Sequence, residues 1–521
     1  MQTKITVPLS ATNKADMRSQ AKEAVALGAE MLELRIDYLN DLSVDLAKDT
    51  INSIQQLTPL PLIVTCRDEQ EGGAHVYSAE LRLKVLIQAV SESADFIDLE
   101  FVNFRNPVFS KPLLFALSQS DGCRLILSAH DFKKPFADLK GLYQEIRNVC
   151  PQAIPKLVYT ANHINDCFEA IDLLHNEKKA DIIVLCMGPA GLICRILARK
   201  LGALVSFASL DSGKTTAPGQ LTIAQLKEIY RFSDSNPATK LFGIIADPVE
   251  HSMSPAIHNA CFARNKMDRL YLPLLVSDGA NGLNAFLDNV TSRNWLGFRG
   301  FSITIPHKEN ALDYVRQHNG IIEPLVEKIG ATNTLVIDEQ GKLSAFNTDY
   351  VGAMASIAQV LDMEQADLNG KQVAIIGAGG VACAIVAGLV DVGAEVIIYN
   401  RTVSKAQSLA KAFNCGYSPL EGLTEMKADL LINCTSIGMS PNINESPVAA
   451  EIMRAEMAVF DTVYNPLQTL LIKNAAQVEA KTIDGLSMFV GQAMAQFKHF
   501  TNEDGDPELM RKVVEKQLCT L

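Results

Sequence analysis

At 521 residues the chain exceeds what one hydrophobic core organises and implies roughly two to four domains. Its 48% hydrophobic and 20% charged residues fit a globular enzyme, not a disordered or collagenous chain. A net charge of −12 disfavours nucleic acid or an anionic membrane as the main partner, so local arginines and lysines must draw in any acidic substrate. The eleven cysteines are odd in number and lack paired metal-ligand spacing. Several (Cys66, Cys186, Cys434) fall in apolar strands, as reduced core thiols do. No metal is expected. The chain opens directly into a strand, with no signal or transit pattern and no apolar run near 18 residues, so a cytoplasmic localisation is expected. Oligomeric state stays open.

Eight short apolar runs punctuate the first 220 residues: Lys4–Pro8, Met31–Asp37, Leu62–Arg67, Asp95–Phe101, Arg124–His130, Lys156–Ala161, Asp181–Met187 and Ala203–Leu210. Amphipathic stretches such as Ala79–Val90 and Ile164–Leu174 separate them. This beat predicts a (β/α)₈ TIM barrel over 1–232, ending in a helix at Ile223–Phe232. Polar residues cluster at or past the strand ends (Glu33, Arg35, Asp37, Arg67, Glu100, His130, Arg195), where barrel active sites sit. Ser233–Thr239 is polar and contains a proline, which suits a linker (233–239).

A second α/β pattern follows, with strands at Leu241–Ala246, Leu270–Val276 and Gly300–Pro306 and a hairpin of Leu335–Ile337 with Leu343–Phe346. Residues 372–402 then read as strand, glycine turn, helix, strand. Gly377, Ala378, Gly379, Gly380, Val381 and Ala382 let backbone N–H groups at a helix start approach a pyrophosphate. An acidic residue after the second strand would hold a ribose 2′-hydroxyl. Here stand Asn400, Arg401 and Thr402, with Lys405 close behind, and cations there suit a 2′-phosphate. The expected cofactor is NADP(H). Strands at Leu430–Cys434, Val459–Val463 and Lys481–Ile483 extend the Rossmann unit, and the last forty residues read as helical. The expected division is a substrate domain, 240–350 plus 486–521, around a nucleotide-binding domain, 351–485.

Lys156 lies in a barrel strand, where desolvation should lower its pKa towards neutrality. A neutral amine there can condense with a ketone to an iminium that acidifies the neighbouring C–H. His130 is suited to proton transfer near neutral pH. Together with Glu33–Asp37, Thr65–Arg67, Glu71–Gly73, Ser128–Phe132, Met187, Gly188, Gly191, Arg195 and Thr216–Gln220, they resemble type I 3-dehydroquinate dehydratase. The resemblance implies a Schiff base on Lys156, with His130 as acid–base, oriented by Glu71. It implies Arg195 on the substrate carboxylate, and Glu33, Arg35, Arg67, Thr216 and Gln220 around hydroxyls or closing the site. Asp37 and Glu100 are equally readable as structural ion-pair partners.

In the second half, Ser252 and Ser254 precede a helix with Pro255 in its first turn, a modest anion site or merely a cap. With Gly300–Lys308, Gly330–Thr334, Phe346–Asp349, Asn400–Thr402, Asn433–Met439, Asp461–Pro466 and Gly485–Gln492, they resemble shikimate dehydrogenase. By that resemblance Ser252 and Ser254 bind a carboxylate, and Thr304, Asn333, Tyr464 and Gln492 contact substrate. Lys308 and Asp349 flank the reacting hydroxyl, while Met439 and Gly485 join the cofactor loop. Ser302 stands where bacterial relatives have Asn, and Tyr350 where Gly is common; both resemble the fused plant-type arrangement. His75, His163, His175, His318 and His499 read as solvated, and His251, His258 and His307 as packing and backbone partners.

The product of the first reaction, 3-dehydroshikimate, is the substrate of the second, so the expected function is a fused dehydratase–dehydrogenase acting on 3-dehydroquinate, 3-dehydroshikimate and shikimate. The rivals are a quinate/shikimate dehydrogenase of quinate degradation, an idle barrel used as scaffold, and a metabolite-sensing regulator. The last should lose catalytic residues and gain a basic DNA-binding block, whereas Lys156, His130, Lys308 and Asp349 are all present.

Overall fold

The computed structural model describes residues 2–211, 219–250 and 252–518. Two compact units are present. One comprises Met1–Lys240 with Asp268–Asp278 and Ala285–Arg293; the other comprises Leu241–Met267, Gly279–Asn284 and Asn294–Leu521.

The first unit is built on β1 (Lys4–Leu9), β2 (Met31–Arg35), β3 (Leu62–Thr65), β4 (Phe96–Glu100), β5 (Arg124–Asp131), β6 (Ile154–Thr160), β7 (Ile183–Met187) and β8 (Val205–Phe207). All eight coincide with the expected apolar runs. Their order is β7-β6-β5-β4-β3-β2-β1-β8, and the pairings are parallel. Because side chains alternate along a strand, one set from each points inward. Met31, Ile63, Phe96, Ile126, Ile154, Ile183 and Val205 form a packed apolar core inside the ring. Charged side chains take over towards the C-terminal strand ends: Glu33, Arg35, Asp98, Glu100 and Lys156 are all buried.

The expected helix at Ile223–Phe232 is tighter and wider by turns. Tyr230 N donates to Gln225 O, a π-type bond, and a 3₁₀ turn, Phe232–Asp234, follows. These turns accompany burial of Leu226, Tyr230 and Phe232. Nor is the stretch read as a linker loose. Ser235 and Thr239 are buried, and Lys200 Nζ donates to the carbonyls of Pro237 and Thr239 at 2.8 and 2.9 Å.

The next six strands are β9 (Lys240–Ala246), β10 (Arg269–Leu275), β11 (Phe298–Ile303), β12 (Ile321–Ile322), β13 (Thr334–Ile337) and β14 (Leu343–Phe346), in the order β10-β9-β11-β13-β14-β12. β13 and β14 form the expected antiparallel hairpin; the two-residue β12 is too short to register as a sequence pattern.

The last sheet has β15 (Gln372–Ile376), β16 (Glu395–Tyr399), β17 (Gly416–Ser418), β18 (Leu430–Asn433), β19 (Ala458–Asp461) and β20 (Lys481–Ile483), in the parallel order β17-β16-β15-β18-β19-β20. Its strands are apolar on both faces, as a sheet covered on both sides requires. Val373 and Ile375 pack into one core, Ala374 and Ile376 into the other. Among the described residues no helix is long and apolar enough to cross a membrane.

Helices Thr348–Leu361 and Gly485–Thr501 cross at glycine contacts. A Cβ on Gly352 would lie 2.5 Å from Gln492 N, and one on Gly491 would lie 3.0 Å from Gly352 Cα. The crossing fixes Asp349 relative to Gln492. Gly352→Val should therefore destabilise the second unit by about 2 kcal/mol or more, read as an earlier unfolding transition in urea.

Candidate active sites

One cavity, of about 80 Å³, opens at the C-terminal ends of the barrel strands; its lining includes Glu33, Arg35, Arg67, Glu71, His130, Lys156, Arg195 and Gln220. Lys156, two residues before Val158 on β6, points inward and is 5% exposed. Two carboxylates accompany the buried amine. Lys156 Nζ donates to Asp98 Oδ2 at 2.8 Å and to Glu33 Oε1 at 3.3 Å, and lies 4.9 Å from the centre of the Phe207 ring. A buried cation must be paired, and this one is.

Asp98 is the residue the sequence reading missed. It is fully buried on β4. Burial disfavours its charge, but Arg67 and Lys156 hold it far below the usual carboxylate range. Its other oxygen accepts from Ser128 Oγ at 2.7 Å. Strand alternation carries the signal, because Asp98 shares the inward face of β4 with Glu100.

The arginines are not equivalent. Arg35 is spent on Asp37, with bonds of 2.9 and 2.7 Å, and also donates to Gly72 O at 3.2 Å, which ties down the loop carrying Glu71. Arg67 contacts Asp98, Glu100 and Ser128 Oγ, and Arg82, also missed from sequence, pairs with Glu100 and Asp68. Arg195 is different. It is 2% exposed, and among the described residues its Nε has no hydrogen-bond partner and no carboxylate forms an ion pair with it. Burial pushes its pKa down to about 10. The guanidinium lines the cavity wall.

His130 Nδ1 lies 2.9 Å from Glu71 Oε2, and the ring stacks on Phe132. Burial, reinforced by Arg67 and Lys156, holds His130 well below its ordinary pKa, so the imidazole is neutral at physiological pH. Burial pushes Glu71 up to about 7, against the pull of Arg67. Thr216 lies outside the described residues, as does His251.

A second cavity, of about 350 Å³, is lined by Ser252, Ser254, Thr304, Lys308, Asn333, Asp349, Val381, Tyr464, Gly485 and Gln492, among others. Ser254 opens helix Ser254–Arg264 and is not its cap; that position is Met253. Lys308, at the start of helix Lys308–Gln317, donates from Nζ to Asp349 Oδ2 at 2.5 Å. Asp349 Oδ1 accepts from Asn333 Nδ2 at 2.9 Å, and the same amide donates to Thr348 Oγ1 at 3.0 Å. Ser302 Oγ donates to Gln496 Oε1 at 2.7 Å, while Gln496 Nε2 donates to Asn333 O and Thr334 Oγ1. Gln496 was invisible in sequence because it pairs across 163 residues with a strand end. Tyr464 stacks on Phe489 at 4.7 Å.

Between β15 and helix Gly380–Asp391, Gly377 has φ +112, a conformation that favours glycine. A Cβ on Gly379 or Gly380 would meet nothing within 4 Å, so this turn presents bare backbone. Ala378 packs at the edge of the apolar core and Ala382 is fully buried within it. Past β16, Asn400 Nδ2 donates to Thr402 O, and Arg401, Thr402 and Lys405 are exposed. Met439 is 45% exposed, beside Gly438 at φ +89. Of the histidines expected in solvent, His499 is half-buried and stacks on Phe346 at 4.0 Å; His163 is half-buried and caps the 3₁₀ turn Ile164–Cys167. His258 packs among Phe262, Phe497 and Phe500.

Four family models match successive parts of the chain. Type I 3-dehydroquinase matches residues 5–237, the shikimate dehydrogenase substrate binding domain 244–335, shikimate/quinate 5-dehydrogenase 359–488, and the shikimate 5′-dehydrogenase C-terminal domain 485–515. Over 98% of its length the chain is 34% identical to the chloroplastic bifunctional 3-dehydroquinate dehydratase/shikimate dehydrogenase of Arabidopsis thaliana, 84% of which is covered. The chain belongs to the bifunctional 3-dehydroquinate dehydratase/shikimate dehydrogenase family. Its second half is 38% identical to a shikimate dehydrogenase (NADP(+)) of Methanosarcina acetivorans, covering 54% of this chain and 99% of the relative. A crystal structure of a shikimate dehydrogenase in complex with NADP+ aligns with a TM-score of 0.50 and 36% identity, over 55% of this chain and 97% of that one.

In the dehydratase half, Glu71 is the member of the His130–Glu71 pair that changes charge near neutral pH. Glu71 gains its charge as pH rises through about 7, while His130 stays neutral. Dehydratase kcat/KM should therefore rise with pH across that region, and Glu71→Gln should flatten the step, measured as a pH–rate profile.

Proposed function

We infer that this chain dehydrates 3-dehydroquinate to 3-dehydroshikimate in its barrel and reduces 3-dehydroshikimate to shikimate in its second half. Family membership over nearly the full chain supports the pair of reactions. For the residues, one observation carries most weight: a single small cavity is walled by Lys156, a neutral His130 and an arginine with no carboxylate of its own.

In the barrel, Arg195 takes the substrate carboxylate. Lys156 supplies the attacking amine, and His130 in the same cavity is the acid–base that moves protons to and from the adduct. The amine adds to the ketone; water leaves and an iminium forms. His130 removes the α-proton and returns it to the departing hydroxyl, so a second water leaves. Hydrolysis restores Lys156. Asp98 and Glu33 balance the charge that Lys156 carries before and after the cycle, and Glu71 orients His130. Glu33, Arg35, Arg67, Thr216 and Gln220 are assigned to the rim that closes over substrate; Arg35 and Arg67 serve chiefly as anchors, because carboxylates already occupy their forks.

In the second half, Ser252 and Ser254 take the carboxylate, and Thr304, Tyr464 and Gln492 contact the ring. Lys308, held by Asp349, gives a proton to the ketone oxygen during reduction. Asn333 acts through Asp349, since both its N–H groups are engaged. The bare turn Gly377–Ala382 and the exposed Arg401 and Lys405 fit a dinucleotide with a 2′-phosphate. We assign NADPH, which when bound supplies the hydride; Asn400, Thr402, Met439 and Gly485 complete its surroundings. The division into 1–232, 240–350 plus 486–521, and 351–485 belongs to this reading. So does a cytoplasmic location, which the ten unpaired cysteines among the described residues support; the Arabidopsis relative is chloroplastic.

Supplied with 3-dehydroquinate and NADPH, the protein should oxidise the nicotinamide steadily, and Lys156→Ala or Lys308→Ala should each abolish this. Borohydride with 3-dehydroquinate should add a reduced adduct to wild type but not to Lys156→Ala; the absence of any adduct refutes the iminium. Arg401→Ser should raise KM for NADPH about tenfold and leave that for NADH unchanged. A clear preference for quinate with NAD would favour the degradative reading.

A further inference from the structure

Behind the barrel wall lies a cluster that none of these steps uses. Cys167 ends the 3₁₀ turn Ile164–Cys167, Cys186 is the penultimate residue of β7, and Cys194 is in the first turn of helix Leu192–Leu201. All three side chains are fully buried. Their sulfurs lie within 4.8 Å of one another, and no other such group of three occurs among the described residues. Cys194 Sγ is 3.4 Å from Cys186 Sγ, and Cys167 Sγ is 3.4 Å from Ala190 O. The frame is tight: a Cβ on Gly191 would lie 2.6 Å from the Cys186 carbonyl, so the backbone leading into the helix presses against β7.

We propose that Cys167, Cys186 and Cys194 form a binding site for trivalent arsenic, held as an uncharged trithiolate. An atom bonded to three sulfurs at about 2.3 Å spaces them by about 3.4–4.0 Å, so the three thiols need to move by less than about 1 Å. Charge selects among thiophilic centres. Zinc with three thiolates is anionic and seeks a fourth ligand. Monovalent copper would leave two net negative charges in a buried site. Trivalent arsenic leaves none. Arsenous acid exchanges its three hydroxyls for three thiols: three As–O and three S–H bonds break, three As–S bonds form, three waters leave, and no oxidation state changes. Opening of the helix start admits this small neutral molecule.

The site is coupled to the dehydratase through the chain. Cys194 directly precedes Arg195, whose carbonyl accepts from Ser206 Oγ at 2.9 Å. Drawing Cys194 towards its two partners shifts the guanidinium that faces the cavity. This coupling rests on the assignment of Arg195 to the substrate carboxylate; arsenic binding itself does not.

The test uses the full, reduced chain incubated with arsenite and examined by native mass spectrometry. Wild type should gain one arsenic atom less three hydrogens, and zinc under the same conditions should add nothing. Cys167→Ser and Cys186→Ala should not form that adduct. The loaded wild type should lose dehydratase activity by about tenfold or more, while its dehydrogenase rate stays unchanged; the arsenic-free dehydratase rate of each variant reports that its barrel is folded. An absent adduct, an adduct that keeps oxygen, or the same adduct in Cys167→Ser overturns the site. A complete adduct with undiminished dehydration retains the site and overturns its coupling to Arg195.

Discussion

Each of the two centres is organised around a lysine whose carboxylate partner is itself held from the other side. In the barrel, Asp98 binds Lys156 through one oxygen and accepts from Ser128 through the other. In the second half, Asp349 binds Lys308 through one oxygen and accepts from Asn333 through the other. A carboxylate fixed at both oxygens cannot swing, so the ammonium it holds is placed as firmly as the backbone that carries it. The surrounding architecture follows from this need. The barrel provides parallel strands whose ends converge on one point, and the glycine crossing of two helices brings Asp349 and Gln492 to one cavity.

The two centres differ in how dry they are. Asp98, Glu100, Arg67 and Lys156 are all buried, so their charges are compensated within a low-dielectric interior where an unmatched ion is expensive. Arg195 stands outside that compensation: among the described residues no carboxylate pairs with it. The Lys308–Asp349 pair is partly exposed and lines a cavity several times larger.

Much of this was legible in the chain because local signals and tertiary use coincided. Every barrel strand followed its apolar run, and the Gly377–Ala382 turn joined strand to helix as its spacing implies. What escaped were features created by pairing at long range. Asp98 looked like one more acid in an apolar strand, and only its two-residue spacing from Glu100 marks the face they share. Gln496 sits in a helical stretch, and its partners lie on other elements. For Lys156, burial was foreseen, but the carboxylates that meet it, Asp98 and Glu33, come from other strands and are not marked by anything near it in the chain. The three thiols have unremarkable spacing in the chain and meet only because a turn, a strand end and a helix start converge.

The tie between Asp98 and Lys156 also constrains descent. A lineage that gave up the barrel reaction could not discard the amine alone, because a fully enclosed acid would lose half of its counter-charge and rely on Arg67 by itself. Abandonment of the chemistry should thus leave a paired scar, position 98 turning neutral together with position 156.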